Sequence, residues 1–150
     1  MGEKYVAYVG TYTHESSNGI YLFDMDVEKG RITKRNEYEL DNPSYIAVSH
    51  NHKYLYAICD QGVASYAIKE NGELEQLNVA SINGMRGCHI SITKDDTFLV
   101  VSGYHDGKIT VLALKKDGRV GDITDEVFHK GLGSIAERNF RPHISWSVFT

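Results

Sequence analysis

The sequence predicts an all-β fold of the β-propeller class, as a fragment of about three four-stranded blades. The first observation is a module of two short strands that runs from Arg86 to Gly107 and also occurs from Asn42 to Gly62. The second is its period, because the glycine that opens each repeat recurs at Gly19, Gly62 and Gly107. Four strands repeating every forty or so residues are typical of propeller blades.

The elements follow one another as short alternating strands rich in β-branched and aromatic residues, which suit a pleated, half-buried surface. Turns are predicted at Lys29-Gly30, Asn71-Gly72 and Asp117-Gly118, and no segment keeps a helical period. Twelve strands are expected: two in the Asn42–Gly62 module, and others at 4–12, 19–26, 32–40, 62–68, 74–82, 88–93, 98–103, 108–114, 120–128 and 141–150.

Counting from the opening glycines, the blades are expected at 19–60, 62–107 and 108–150. The third blade then lacks its fourth strand, and the strand at 4–12 is of that type. Strand 4–12 is therefore predicted to complete a blade, either in its own chain or in a partner chain. Three blades cannot close, because propellers have about four to eight. One hypothesis is thus a homodimer in which strand exchange closes a six-bladed ring and removes bare sheet edges.

Composition excludes several classes of function. The chain has 150 residues, of which 16 are basic and 20 acidic, and its net charge is −4. Basic residues never form a run longer than two, which argues against nucleic-acid binding. No apolar run approaches the roughly 18 residues of a membrane span, and no signal peptide is recognisable. Cys59 and Cys88 lack metal-ligand spacing and are expected to be free thiols in a reducing cytoplasm.

Histidines are the main candidates for chemistry. His89 and His143 occupy the same place in successive modules, because the stretches Gly87–Ile90 and Arg141–Ile144 align on their isoleucines. Each could instead be a structural histidine on the wall of a central channel. His50 and His52 have no matching ligands nearby, so no metal site is expected. Motifs for phosphate-binding loops, dinucleotides and serine nucleophiles are absent, and no cofactor is expected.

Several stretches together resemble the lactonase family of seven-bladed propellers, which includes the propeller-type 6-phosphogluconolactonases. They are YVGTYT near the start, NPSYIAVS followed by KYLYAI, GELEQLN, the CHIS strand and SGYHDGKITVLAL. The resemblance extends over essentially the whole chain but over only about half of a family member. It implies that the chain is a fragment or a truncated form of such a protein.

The family's pocket motif is similar to R-Q-x-x-P-H-x-H, and residues 138–145 read RNFRPHIS. The resemblance implies His143 as the general acid/base and Arg138 as its catalytic partner, with His89, Arg141 and Tyr104 binding substrate. Ser145 replaces the motif's second histidine. The implied reaction is metal-free hydrolysis of a sugar-phosphate lactone, 6-phosphogluconolactone, to 6-phosphogluconate in the pentose phosphate pathway. The alternative is a catalytically inactive half-propeller that serves as a structural or binding module.

Overall fold

The computed structural model describes residues 4–131, 133 and 141–150, and this part of the chain contains β-strands and no helix. None of it could therefore cross a membrane as a helix. The eleven strands are β1 (Tyr5–Val9), β2 (Gly19–Asp26), β3 (Arg31–Glu39), β4 (Ile46–Val48), β5 (Tyr54–Cys59), β6 (Gly62–Ile68), β7 (Leu74–Ala80), β8 (His89–Ile92), β9 (Phe98–Ser102), β10 (Lys108–Leu114) and β11 (Val120–Phe128).

The strands form three antiparallel sheets in chain order, β1–β3, β4–β7 and β8–β11, with each strand bonded to its sequence neighbour. The sheets pack face to face, and the middle sheet is buried on both sides. Along β5, Tyr56 and Ile58 belong to the core shared with the third sheet, whereas Leu55, Ala57 and Cys59 belong to the core shared with the first. This alternation follows from the two-residue period of a strand. The predicted propeller fold is thereby confirmed.

The sheets of the structure do not coincide with the predicted blade boundaries. The sequence repeat was divided at its opening glycines, but the complete sheets are β4–β7 and β8–β11, which occupy 46–80 and 89–128. The expected blades 19–60 and 62–107 therefore each combine strands of two different sheets. The sequence repeat gives the spacing between blades but not the strand at which each blade begins, because starting the count at any of the four strands gives the same spacing.

Two strand predictions also change. The strand expected at 4–12 is β1, and it pairs with β2 of its own chain, from Tyr5 opposite Met25 to Val9 opposite Tyr21. The strand expected at 141–150 is not formed, so eleven strands are seen among the described residues rather than twelve. A strand exists only where a backbone ladder joins it to a neighbour, and no described strand pairs with 141–150.

The segment 141–150 is nevertheless packed along β8 by side-chain hydrogen bonds. The Cys88 thiol lies 3.3 Å from the carbonyl oxygen of Ile144, and the Ser91 hydroxyl donates to the carbonyl of Ser147. The Ser102 and Ser147 hydroxyls are 2.9 Å apart. Side chains of the third sheet thus hold this segment at the position expected for the innermost strand of a following blade.

Candidate active site

The loops that carry the predicted site residues meet at one end of the sheets, which we call the upper rim. At this end β8 begins and β9 finishes, since His89 is paired with Ser102 in the ladder. The loop after β9 contains Tyr104, and the backbone N–H of His129, just after β11, bonds to Gly107. The antiparallel order of the strands therefore gathers residues that are far apart in the sequence.

His143 lies directly against Tyr104 on the upper rim. The two rings stack with centroids 4.3 Å apart and an interplanar angle of 13°, and the His143 Nδ1 is 2.6 Å from the Tyr104 carbonyl oxygen. A carbonyl oxygen only accepts hydrogen bonds, so Nδ1 must carry the proton. In the neutral ring Nε2 then carries the lone pair, which is the form that a general base requires.

A close backbone approach makes this contact possible. Gly107 has φ of +62°, and a Cβ atom built on it would lie 2.7 Å from the carbonyl oxygen of Pro142. Glycine accommodates both the left-handed backbone and the short distance. The Pro142–His143 dipeptide can therefore sit tightly over the loop that follows β9.

His89 lies in a different environment, at the start of β8. Only 5% of its surface is exposed, and its ring is packed against Tyr45 at 4.5 Å and Trp146 at 5.8 Å between centroids. Its buried Nδ1 has no hydrogen-bond partner among the described residues. Burial lowers the pKa of His89, which favours the neutral imidazole at pH 7.

The two arginine candidates differ in what can be said of them. Arg141 is exposed beside Pro142 and His143 on the upper rim. Arg138 lies outside the described residues. Of the five predicted site residues, the structure thus brings His143 and Tyr104 into contact and places His89 at the same end of its sheet.

Sequence reasoning missed a second polar cluster on the upper rim. Arg86 donates to the Asp60 carboxylate at 2.7 Å, and its guanidinium lies 5.3 Å from the centre of the Tyr12 ring. Asn42 donates to the other Asp60 oxygen at 2.9 Å and accepts from the backbone N–H of Thr13. The signal was available, because Arg86 immediately precedes the stretch that aligns with Arg141–Ile144.

The Asp60 carboxylate is held in its charged form by this cluster. Partial burial raises its pKa, but the hydrogen bonds from Arg86 and Asn42 outweigh burial, so the pKa of Asp60 is lowered. The cluster joins loops of all three sheets, since Tyr12, Asp60 and Arg86 follow or precede strands of successive sheets. It therefore ties the loops of the three sheets together on the rim.

No group of three or more histidine, cysteine, aspartate or glutamate side chains is placed to hold a metal ion within residues 4–131, 133 and 141–150. Cys59 and Cys88 are free thiols. His50 lies at the opposite end of the sheets, where its Nδ1 is 3.1 Å from the Asp96 carboxylate. The chemistry available from the described side chains of the rim is therefore that of imidazole, guanidinium, phenol and carboxylate groups.

Comparison with known proteins shows the family of the chain. Residues 6–150 match the family described as Lactonase, 7-bladed beta-propeller. The chain belongs to this lactonase family. It is 39% identical to the 6-phosphogluconolactonase of Bacillus subtilis over 153 aligned residues, which are 98% of this chain and 44% of that protein. This lactonase-family chain thus spans less than half the length of that curated relative.

Solved structures of the family superpose closely. A Bacteroides fragilis protein with a provisional assignment as a 6-phosphogluconolactonase is 33% identical, with a TM-score of 0.86, over 93% of this chain and 40% of its own. A Bacteroides uniformis protein with the same provisional assignment is 28% identical, with a TM-score of 0.87, over 95% of this chain and 43% of its own. Both confirm the predicted resemblance and the propeller fold.

Proposed function

We propose that the protein hydrolyses a sugar-phosphate lactone, 6-phosphogluconolactone, to 6-phosphogluconate. The observation that carries the proposal is the His143–Tyr104 pair in a lactonase-family chain. Its carbonyl contact sets the tautomer in which Nε2 can accept a proton. The name of the Bacillus subtilis relative supports the choice of lactone. Such an enzyme would act in the pentose phosphate pathway in the cytoplasm, and the free cysteines suit a reducing compartment.

The reaction needs a base, an acid and a group that stabilises negative charge. In the proposed mechanism, Nε2 of His143 takes a proton from water as the water oxygen attacks the lactone carbonyl. The tetrahedral oxyanion collapses, the bond between the carbonyl carbon and the ring oxygen breaks, and the imidazolium returns the proton to that oxygen. Arg138 and Arg141 supply guanidinium donors to the oxyanion or to the phosphate, and Tyr104 and His89 contact the sugar.

The test is lactone consumption with and without His143. General acid/base groups contribute about 10²- to 10⁴-fold to rates, so His143→Gln should lower kcat by about that factor. His50→Gln is the matched control, because this histidine lies at the opposite end of the sheets. The uncatalysed hydrolysis of the lactone is measured in parallel and subtracted. Equal rates for His143→Gln and the wild type would contradict the proposed role.

The alternative is that this chain is a structural or binding module without catalysis. Complete absence of lactone hydrolysis above the uncatalysed rate, with folding intact, would favour this alternative. Tyr104→Ala separates the two further, because it removes the ring against which His143 stacks while leaving the carbonyl. In the catalytic case this substitution should lower kcat, whereas a purely structural module would show only a change in unfolding.

We also propose that two copies associate through strand exchange. In support, β1 pairs with β2 along one edge, and in the described part of the chain neither its other edge nor the segment 141–150 has a ladder partner. Unpaired strand edges tend to find partners. Pairing of 141–150 of one copy with β1 of the other would complete the first sheet. Light scattering that gives the mass of one copy at micromolar concentration would contradict this assembly.

A further inference from the structure

Two buried side-chain polar atoms of the described residues have no hydrogen-bond partner, the Tyr66 hydroxyl and the His89 Nδ1. His89 also lies at the end of the sheets that carries the candidate site, and only 5% of its surface is exposed. More than about 90% of buried polar groups in proteins are hydrogen-bonded, because an unpaired one has lost its bonds to water and gained none in return. A polar group that is retained at such a cost is expected to have a partner that the protein chain does not supply.

The surroundings indicate what kind of partner this is. The rings of Tyr45 and Trp146 pack against the His89 ring, and none of the ion pairs among the described residues involves His89. Burial lowers the pKa of His89 and keeps it neutral. In a neutral imidazole Nδ1 is either a donor or an acceptor, according to the tautomer. A hydroxyl group or a water molecule can pair with it in both cases, because each can donate and accept. A phosphate would instead require cationic donors.

Of the two rings that cover His89, Trp146 is the one able to move. The backbone of Tyr45 is anchored, because the N–H of Ile58 donates to its carbonyl oxygen at 2.9 Å. The surface of Trp146 is 64% exposed, so its side chain has room to adopt another rotamer. A change of its side-chain rotamer would uncover His89 without disturbing the hydrogen bonds of β8.

We propose that His89 is a hydrogen-bonding subsite for one hydroxyl group, covered by Trp146 and reached when that ring swings away. A water molecule fills the subsite in the absence of ligand, and a hydroxyl group of the sugar, in the lactone or in its open-chain product, replaces it on binding. The sugar part of this inference rests on the function proposed above. His89 is then a positioning residue for the sugar and takes no part in the proton transfers assigned to His143.

The chain has a single tryptophan, so Trp146 fluorescence reports directly on the cover. The probe is 6-phosphogluconate, with D-gluconate as a second ligand that lacks the phosphate. Saturation with 6-phosphogluconate should increase quenching of Trp146 by acrylamide. His89→Leu should weaken binding about tenfold, equivalent to about 1.4 kcal/mol. His89→Gln, which restores a donor and an acceptor, should bind within about threefold of the wild type.

His89→Leu is expected to fold, because replacing an unpaired buried polar group by an apolar one is nearly neutral or stabilising. Equal affinities of His89→Leu and wild type for 6-phosphogluconate would overturn the subsite. Unchanged acrylamide quenching at saturation would overturn the role of Trp146. If the wild type binds neither probe, the sugar part is wrong, while the lactone assay judges the proposed function separately. A ligand-free crystal structure without a water within about 3.2 Å of Nδ1 would overturn the water part.

Discussion

Three turn glycines at the same position of the repeat offer a test of how the sheets pack. Gly30, Gly72 and Gly118 each lie in the turn between the last two strands of their sheet, with φ of +60°, +84° and +85°. A Cβ atom on Gly30 would meet nothing within 4 Å. On Gly72 it would lie 3.1 Å from a methyl group of Val6, and on Gly118 it would lie 2.1 Å from the Tyr54 ring.

The magnitudes follow from two separate costs. Alanine in the left-handed region costs about 1 kcal/mol, and this applies to all three glycines. Overpacking adds about 1–3 kcal/mol where the new methyl group has no room. We therefore expect losses in the free energy of unfolding of about 1 kcal/mol for Gly30→Ala, about 1–2 kcal/mol for Gly72→Ala and about 3 kcal/mol for Gly118→Ala.

Urea unfolding at a fixed protein concentration measures these losses, provided that the slope with denaturant stays constant across the series. For a chain of this length, 3 kcal/mol corresponds to a fall in Tm of about 6–12 °C. A second background identifies the clash, because Tyr54→Leu removes the ring that the new methyl group would strike. In that background Gly118→Ala should cost no more than Gly30→Ala, as in a double-mutant cycle.

Equal losses for Gly30→Ala and Gly118→Ala would refute the reasoning, since they would mean that backbone strain alone sets the cost. An undiminished loss for Gly118→Ala in the Tyr54→Leu background would also refute it. Either result would show that the turn of the third sheet does not rest on β5. The face-to-face packing that carries both loops of the upper rim would then need another explanation.

Two further predictions concern charged groups. Partial burial raises the pKa of Asp96, but hydrogen bonds from the backbone N–H groups of His50 and Asn51 outweigh it and lower the pKa. Asparagine tolerates the same φ of +55°, so Asp96→Asn should lose about 1 kcal/mol at pH 7 through the weaker hydrogen bonds alone. Unfolding followed against pH should show this difference shrink as the pH falls below about 3.9, the unfolded-state pKa, and disappear once the pH has passed the lower pKa of the folded state. Lys108 is 3% exposed, and its ammonium group bonds to two carbonyl oxygens and one carboxylate. Lys108→Met should therefore lower the free energy of unfolding in urea by about 2–3 kcal/mol. The control Lys116→Met, at an exposed position, should lower it by less than about 0.5 kcal/mol.

The candidate site was predictable residue by residue but not as an arrangement. His143 was a candidate from its motif and Tyr104 from its place after a strand, and they are 39 positions apart. Their contact depends on the approach of Pro142 to Gly107, which is a matter of how two loops fold over one sheet. The unpaired Nδ1 of His89 likewise has no signature in the sequence, because it results from neighbouring rings that surround the imidazole without offering a hydrogen-bond partner.

Strand identity and repeat period follow from the sequence because both are local: alternation of side chains marks a strand, and recurring glycines mark turns. The division into sheets is not local, and only the ladders show that β4–β7 and β8–β11 are the complete sheets. The same holds for 141–150, whose strand-like sequence forms no strand without a partner backbone. Hydrogen bonding between distant segments is a tertiary property. The tertiary structure therefore decides at which strand each sheet begins and how the loops of the upper rim meet.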